Sequence, residues 1–144
     1  MATDQDLMKL YSGRILAIAA AIPLTERLDM PDATVRKRSP LCGSTVEVDV
    51  CVKDDIITGF GQDVKACALG QTAASVLASH VVGLSKGQIS TGRDQLLAML
   101  KSDGAVPAAP FDELEVLLPA REYANRHASI MLAFDATLEA INQA

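Results

Sequence analysis

The chain has 144 residues, of which 49% are hydrophobic and 3% aromatic, and its formal net charge is −5. This length and apolar content predict a single domain over residues 1–144, with a core of aliphatic and alanine side chains. The acidic balance argues against nucleic acid as the main partner, and the short basic run Arg36-Lys37-Arg38 is too brief to reverse that expectation.

The three cysteines predict a reducing, cytoplasmic setting, because their number is odd and no stretch resembles a secretory signal. In that setting the thiols are free, metal-bound or reactive. The apolar piece from Ile15 to Ile22 is far shorter than the roughly 20 residues that a membrane span requires, so no membrane partner is expected.

The N-terminal part predicts an amphipathic helix from Asp4 to about Ile22, with apolar residues at spacings of three and four. Its stripe consists of Leu7, Tyr11, Ile15, Ile18 and Ile22. Pro23 ends or kinks this helix. After a connector, residues 32–38 are expected to form a short edge strand.

A strict alternation runs from Thr45 to Lys53, where valine occupies every second position. This period predicts a half-buried antiparallel strand. Asp54-Asp55 is the expected turn, and Ile56 to about Val64 is the partner strand. Because a tight hairpin fixes the register, Cys42 and Cys67 are expected at the same end of it.

Two helices are predicted in the next part of the chain. The first is dense in small residues and spans Ala68 to Val82, with Gly83 as its terminator. The second runs from about Thr91 to Lys101, where Thr91 and Asp94 resemble a capping box.

The C-terminal section predicts a short turn of helix from Asp112 through Leu118, after which Pro119 opens the last section. The final helix carries one apolar stripe, formed by His127, Ile130, Met131, Phe134, Leu138 and Ile141. Together the elements predict an α+β domain, a small three-stranded antiparallel sheet with helices packed on one face.

The two cysteines at the hairpin end are the strongest candidates for chemistry. Cys67 stands at a helix start, where unpaired amides and the helix dipole stabilise the thiolate that binds metals and acts as a nucleophile. A single free cysteine is more often a small buried hydrophobe, but the pairing of Cys42 with Cys67 favours a soft-metal or sulfur-transfer site. Cys51 falls on the polar side of its strand and is expected to be incidental.

Other candidate ligands are weaker. His127 begins the terminal helix and imidazole binds borderline metals, although a lone histidine is more often structural. Ser44 and Ser129 are poor metal ligands on their own. Serines at strand and helix ends more often form hydrogen bonds with nearby backbone groups. No hydrolase, nucleotide or zinc-protease motif occurs in the sequence.

The order and spacing of these features resemble the U-type iron–sulfur cluster scaffold family, which includes IscU, SufU and the N-terminal domain of NifU. Pro40-Leu41-Cys42-Gly43 matches the family's P-x-C-G pattern, and the Ser/Ala-rich helix from Ala68 to Val82 follows the second cysteine. Gly83–Lys86 is similar to the family's G-K-S/T turn, and Leu132–Ala136 is similar to its final helix. The resemblance covers nearly the whole chain.

This resemblance implies the α+β fold and a scaffold, not an enzyme, that assembles a [2Fe–2S] cluster or holds zinc on three cysteines and an aspartate. It also implies a cysteine desulfurase as the sulfur source and apo-proteins as acceptors of the cluster. Two of the family's ligands carry over, as Cys42 and Cys67.

The other two family ligands do not carry over. Ser44 stands where the family has its aspartate. The third cysteine corresponds to Ser129 if the chain is aligned on Leu132–Ala136, or to Ala128 if it is aligned on the family's His-Cys pair, which keeps His127. Because ordinary cluster ligation takes four groups, mostly thiolates, two cysteines and a histidine fall short.

We therefore expect a scaffold-like protein that binds an iron–sulfur cluster, iron or zinc through Cys42 and Cys67, with His127, Ser129 and Ser44 as further metal ligands. One alternative is a paralogue that has lost ligation and acts as an interaction or regulatory protein. Another is a persulfide sulfur acceptor at Cys67. The sequence leaves open whether two chains associate as a homodimer to share ligands.

Overall fold

A computed structural model of the chain describes residues 12–41 and 43–144. The elements within these ranges are α1 (Gly13–Ala20), β1 (Ala33–Arg38), β2 (Thr45–Lys53), β3 (Ile56–Lys65), α2 (Ala68–His80), α3 (Lys86–Lys101), a 3-10 helix (Asp112–Glu122) and α4 (Ala124–Gln143). The strands form one antiparallel sheet in the order β1-β2-β3. This α+β architecture confirms the fold class predicted from the sequence. No helix in the described ranges is long and apolar enough to cross a bilayer.

Strands β2 and β3 form the predicted hairpin, with Thr45 opposite Lys65 at one end and a register shift at Cys51/Val52 near the other. Three inward valines of β2, Val46, Val48 and Val50, are buried as their alternation predicts, and Val52 is partly buried. Helix α4 packs across β1 and β2 on this face, where Lys37 Nζ lies 2.9 Å from Glu139 Oε2. The position of α4 brings its N-terminal end over the edge where β2 begins.

The polar face of β2 departs from simple alternation at Asp49, which is fully buried. Arg27 donates to both carboxylate oxygens, at 2.6 and 2.8 Å, and Thr34 Oγ1 and the Leu28 amide donate at 2.6 and 3.0 Å. The connector between α1 and β1 therefore lies across the outer face of the sheet. Gly61 permits this close approach, because a side chain there would collide with the backbone carbonyl of Glu26.

Helix α3 begins earlier than the sequence reading placed it. Ser85 is its N-cap, accepting from the Gln88 amide at 3.2 Å, while Gln88 Oε1 accepts from the Ser85 amide at 2.9 Å. The prediction of a capping box at Thr91 and Asp94 was wrong. Ser85 and Gln88, six residues earlier, match the S/T-x-x-E/Q pattern of a capping box. The helix begins there because each of these side chains satisfies the backbone amide of the other residue.

The segment before α4 is also longer than predicted. A 3-10 helix runs from Asp112 to Glu122 with Pro119 inside it, so the expectation that Pro119 opens the next section was wrong. Arg121 ties this helix to α3 by donating to the Met99 and Gly104 carbonyls at 2.7 and 3.0 Å. These bonds hold a segment that has little regular apolar period of its own.

Helix α1 is described from Gly13 to Ala20, with Ser12 as its N-cap. Its C-terminal end falls two residues before the predicted Ile22. The predicted start of the helix at Asp4, and its stripe residues Leu7 and Tyr11, lie outside the described residues.

Candidate functional site

Three side chains from distant parts of the chain meet where β2 begins and β3 ends. Ser44 precedes β2, Cys67 follows β3 as the N-cap of α2, and Ser129 lies in the first turns of α4. Cys67 Sγ lies 3.5 Å from Ser129 Oγ, and Ser129 Oγ donates to Ser44 Oγ at 2.9 Å. Both serines are buried, whereas Cys67 is half-buried. We call these residues the Cys67–Ser129–Ser44 chain.

The close approach of α4 to α2 depends on Gly70. A Cβ at that position would lie 2.9 Å from both Ser129 Oγ and Ala66 Cβ. Such contacts are shorter than real Cβ atoms tolerate in packed interiors, so a larger residue forces the helices apart. The sequence predicts a helix dense in small residues here, but the contact between Gly70 and Ser129 joins positions far apart in the chain, and no local pattern indicates it.

The surroundings of Cys67 lower the pKa of its thiol. Burial raises that pKa, but the Gly70 amide, the Ser129 hydroxyl and the Leu69 amide together outweigh it, with a further contribution from the Arg126 charge. Hydrogen-bond donors and positive charge favour the thiolate, which is the nucleophilic and metal-binding form of cysteine. The surroundings of Cys67 therefore favour the form of the thiol that binds metals and acts as a nucleophile.

Cys42 lies outside the described residues, so its predicted pairing with Cys67 stays a prediction. The residues around it form a tight loop at the start of β2. The Ser39 amide donates to the Ser44 carbonyl, and the Gly43 amide to the Ser39 carbonyl, both at 2.8 Å. Gly43 has φ +69°, a left-handed conformation that glycine adopts without strain. This loop abuts the Cys67–Ser129–Ser44 chain through Ser44.

Cys51 lies apart from this group. It stands opposite Gly59 on the hairpin, towards the turn, whereas Ser44 and Cys67 flank the other end. Its Sγ lies 3.5 Å from the Met30 carbonyl. Cys51 therefore belongs to the contact between the sheet and the connector.

His127 is buried, and its Nε2 lies 2.8 Å from the Ala120 carbonyl in the 3-10 helix. Ser129 comes two residues later, which is about 200° around an α-helix and so on the opposite side. Ala128 is exposed. The geometry thus brings Ser129, rather than Ala128 or the Nε2 of His127, towards Cys67. A ligand role for His127 stays a prediction.

The described residues of this site supply one thiol and two hydroxyls as donors. Within residues 12–41 and 43–144, no group of three or more His, Cys, Asp or Glu side chains gathers as a candidate metal site. A thiolate is a soft ligand and a serine hydroxyl is a weak neutral one. Cys67 is therefore the one soft donor that the described residues of this site supply.

A scan against protein-family models and a search of curated proteins gave no match. Among solved structures, the chain is similar to a nitrogen-fixing NifU-like protein (N-terminal) from Brucella abortus, at 39% identity over 96% of both chains, with a TM-score of 0.93.

A second similar structure is described as an iron–sulfur cluster assembly scaffold protein for the SUF system, from the thermophile Fervidobacterium islandicum AW-1. It is 14% identical over 92% of this chain and 96% of that chain, with a TM-score of 0.82. A hypothetical protein at 23% identity, covering 92% and 97% of the two chains, has a TM-score of 0.78. At these identities the last two likenesses concern the fold alone.

Proposed function

The chain belongs to the U-type iron–sulfur cluster scaffold family, and on that premise we propose that it carries an iron–sulfur cluster, iron or zinc as cargo on Cys42 and Cys67. In this role the protein is a scaffold and not an enzyme. Its partners are a cysteine desulfurase, which supplies sulfur, and apo-proteins, which receive the cargo.

The observation that carries the proposal is the convergence of Cys67, Ser129 and Ser44. Ser44 follows the P-x-C-G pattern directly, where the family has its aspartate, and Ser129 takes the place of the third cysteine in one of the two alignments. Two hydrogen bonds, of 3.5 and 2.9 Å, link the three side chains into one site. Three of the four positions that correspond to family ligands, Ser44, Cys67 and, in that alignment, Ser129, therefore lie together, and two of the three carry a serine.

The substitution of two serines has a chemical consequence for the cargo. A neutral hydroxyl balances none of the positive charge of iron, and oxygen is a poorer donor than thiolate for soft ions. We expect the cargo to be held weakly and to be transferred or lost readily.

The experiment is anaerobic analysis of iron, zinc and acid-labile sulfide per chain in purified protein. Wild type is compared with Cys42→Ser and Cys67→Ser, and Cys51→Ser serves as the matched control because that thiol lies apart from the site. Loss of cargo in the first two variants with retention in the third supports the proposal. Equal content in all four proteins contradicts it.

A second candidate function, acceptance of persulfide sulfur at Cys67, is favoured by the lowered pKa of that thiol. A thiolate accepts sulfur without a full set of four ligands. Incubation with a cysteine desulfurase and cysteine, followed by mass spectrometry of the Cys67 peptide, tests this function separately from metal content.

A further inference from the structure

Ser39 is 1% exposed, and its Oγ has no hydrogen-bond partner among the described residues. A buried hydroxyl without a partner is unfavourable, and such groups are uncommon in native proteins. Its position beside the Cys67–Ser129–Ser44 chain therefore calls for an explanation.

The pairing of β1 and β2 puts Ser39 on the same face of the sheet as that chain. Lys37, two residues earlier on β1, faces α4 and lies 2.9 Å from Glu139. Alternation puts Ser39 on the same side. Ser39 is also opposite Ser44, to which it is joined by the 2.8 Å backbone bond, and side chains of opposite residues lie about 4.5–5.5 Å apart at Cβ. A rotation about χ1 brings the two hydroxyls within reach of each other.

The unpaired Ser39 hydroxyl gains a role as a donor when the hydrogen bond between Ser129 and Ser44 reverses its direction. When Cys67 is a neutral thiol, Ser129 donates to Ser44 and its proton is not directed at the sulfur. A sulfur anion attached to Cys67 has no proton to give and needs donors. Ser129 then turns its proton towards the sulfur and Ser44 donates to Ser129, which leaves both lone pairs of the Ser44 hydroxyl available to accept from Ser39.

The charges around the site agree with an anionic occupant. Three hydroxyls lie at the site, those of Ser39, Ser44 and Ser129. Arg126 adds a positive charge that acts on Cys67. None of these side chains is a carboxylate. A chain of hydroxyls ending on an anion is strengthened cooperatively, because each bond polarises the next.

We propose that Ser39 is a positioning residue, the terminal donor of a reversible hydroxyl relay through Ser44 and Ser129 that stabilises a persulfide anion on Cys67. This inference rests on the second candidate function, the acceptance of persulfide sulfur at Cys67, and names the residues that stabilise the bound sulfur. Loading is thiolate–polysulfide exchange. The Cys67 sulfur attacks a polysulfide sulfur, one S–S bond forms as another breaks, and the shortened polysulfide leaves with the electron pair.

The test uses the full chain, loaded without air with inorganic polysulfide, freed of excess and then exposed to dithiothreitol. Mass spectrometry of the Cys67 peptide follows the loss of the added sulfur with time. We expect Ser39→Ala to lose the sulfur about fivefold faster than wild type, the usual effect of removing one hydrogen bond between neutral groups. Ser75→Ala is the matched control, because Ser75 is a buried serine of α2 that lies eight residues beyond Cys67 and outside the Cys67–Ser129–Ser44 chain.

Thermal unfolding separates this role from a structural one. Ser39→Ala removes an unpaired buried hydroxyl, so its Tm should equal or exceed that of wild type while the persulfide lifetime falls. A lifetime equal to that of Ser75→Ala overturns the inference. So does a shorter lifetime accompanied by a clear drop in Tm. Absence of any persulfide on wild-type Cys67 overturns it as well, whereas the cargo measured for the proposed function is unaffected by that result.

Discussion

Ser44 Oγ and Ser129 Oγ lie 2.9 Å apart although 85 residues separate them in the chain. This bond joins the loop before β2 to the last helix, and Ser129 also reaches the thiol of Cys67. A position in α4 is therefore in direct contact with the sulfur-bearing end of the hairpin, and substitutions there should alter what the site binds.

Replacement of Ser129 by cysteine should strengthen soft-metal binding. The variant puts a thiolate donor within reach of Cys67, where the present oxygen is a poor neutral ligand. Zinc retained per chain after washing with a weak chelator should rise well above wild type. Ser75→Cys adds a buried thiol elsewhere and should leave retention unchanged. Equal retention in the two variants would mean that α4 contributes nothing to ligation.

Replacement of His127 by alanine should affect stability more than binding. His127 Nε2 bonds to the Ala120 carbonyl in a buried setting, and that carbonyl also accepts from the Tyr123 amide at 2.9 Å, so the loss of the imidazole removes one of two bonds, at a cost of about 1 kcal/mol in the free energy of unfolding for the hydrogen bond alone. Urea unfolding measures this change, and zinc per folded chain should stay at the wild-type level. A fall in zinc without loss of stability would instead identify the imidazole as a ligand.

Replacement of Gly70 by alanine should separate α2 from α4. The added Cβ would lie 2.9 Å from Ser129 Oγ, and overpacking of this kind costs about 1–3 kcal/mol. Gly87→Ala in α3 is the matched control, because the nearest atom there is Ser85 Oγ at 3.8 Å and alanine favours helix. Denaturant unfolding should therefore show opposite signs for the two variants. Stabilisation of the protein by Gly70→Ala would contradict the close helix contact.

Asp49 should make the stability of the fold sensitive to acid. The hydrogen bond from Arg27 holds the pKa of this carboxyl at about 2, below the ordinary value of 3.8. A depressed pKa contributes stability that is fully present above pH 4 and is lost as pH falls through 2. The contribution is about 2 kcal/mol.

The Asp49→Asn variant tests that contribution. It should be less stable than wild type at neutral pH and should lack the part of the acid dependence that falls between pH 4 and 2. Urea unfolding at a series of pH values measures both effects. Parallel pH profiles for the two proteins would show that Asp49 does not supply the dependence.

Strong periodic patterns predicted the fold well. The valine alternation of β2 correctly predicted its bounds at Thr45 and Lys53. Successive side chains point to opposite faces of a sheet, and only one face is covered here, so only one register buries the valines. The small-residue helix began at Ala68 as expected. Predictions failed where local signals competed, as at the two candidate capping boxes of α3, or where tertiary contacts hold an irregular segment, as for the 3-10 helix around Pro119.

The site was predictable only in part. Sequence order indicated that Cys67 stands at a helix start, and the resemblance pointed to Ser44 and Ser129. The choice between Ser129 and Ala128 needed the rotation of α4, which the apolar stripe alone does not give. The roles of Gly70, Arg126 and Ser39 depend on distances between elements that are far apart in the chain, and no local pattern carried them.

The central claim is that Cys42 and Cys67 hold one cargo together. X-ray absorption on the zinc-loaded protein tests it most directly, because zinc–thiolate bonds of about 2.3 Å can be counted. Wild type and Cys51→Ser should each show two sulfur ligands per zinc, and Cys42→Ser and Cys67→Ser should each show one. An unchanged sulfur count in Cys42→Ser or Cys67→Ser, or a lower count in Cys51→Ser, would contradict the shared site.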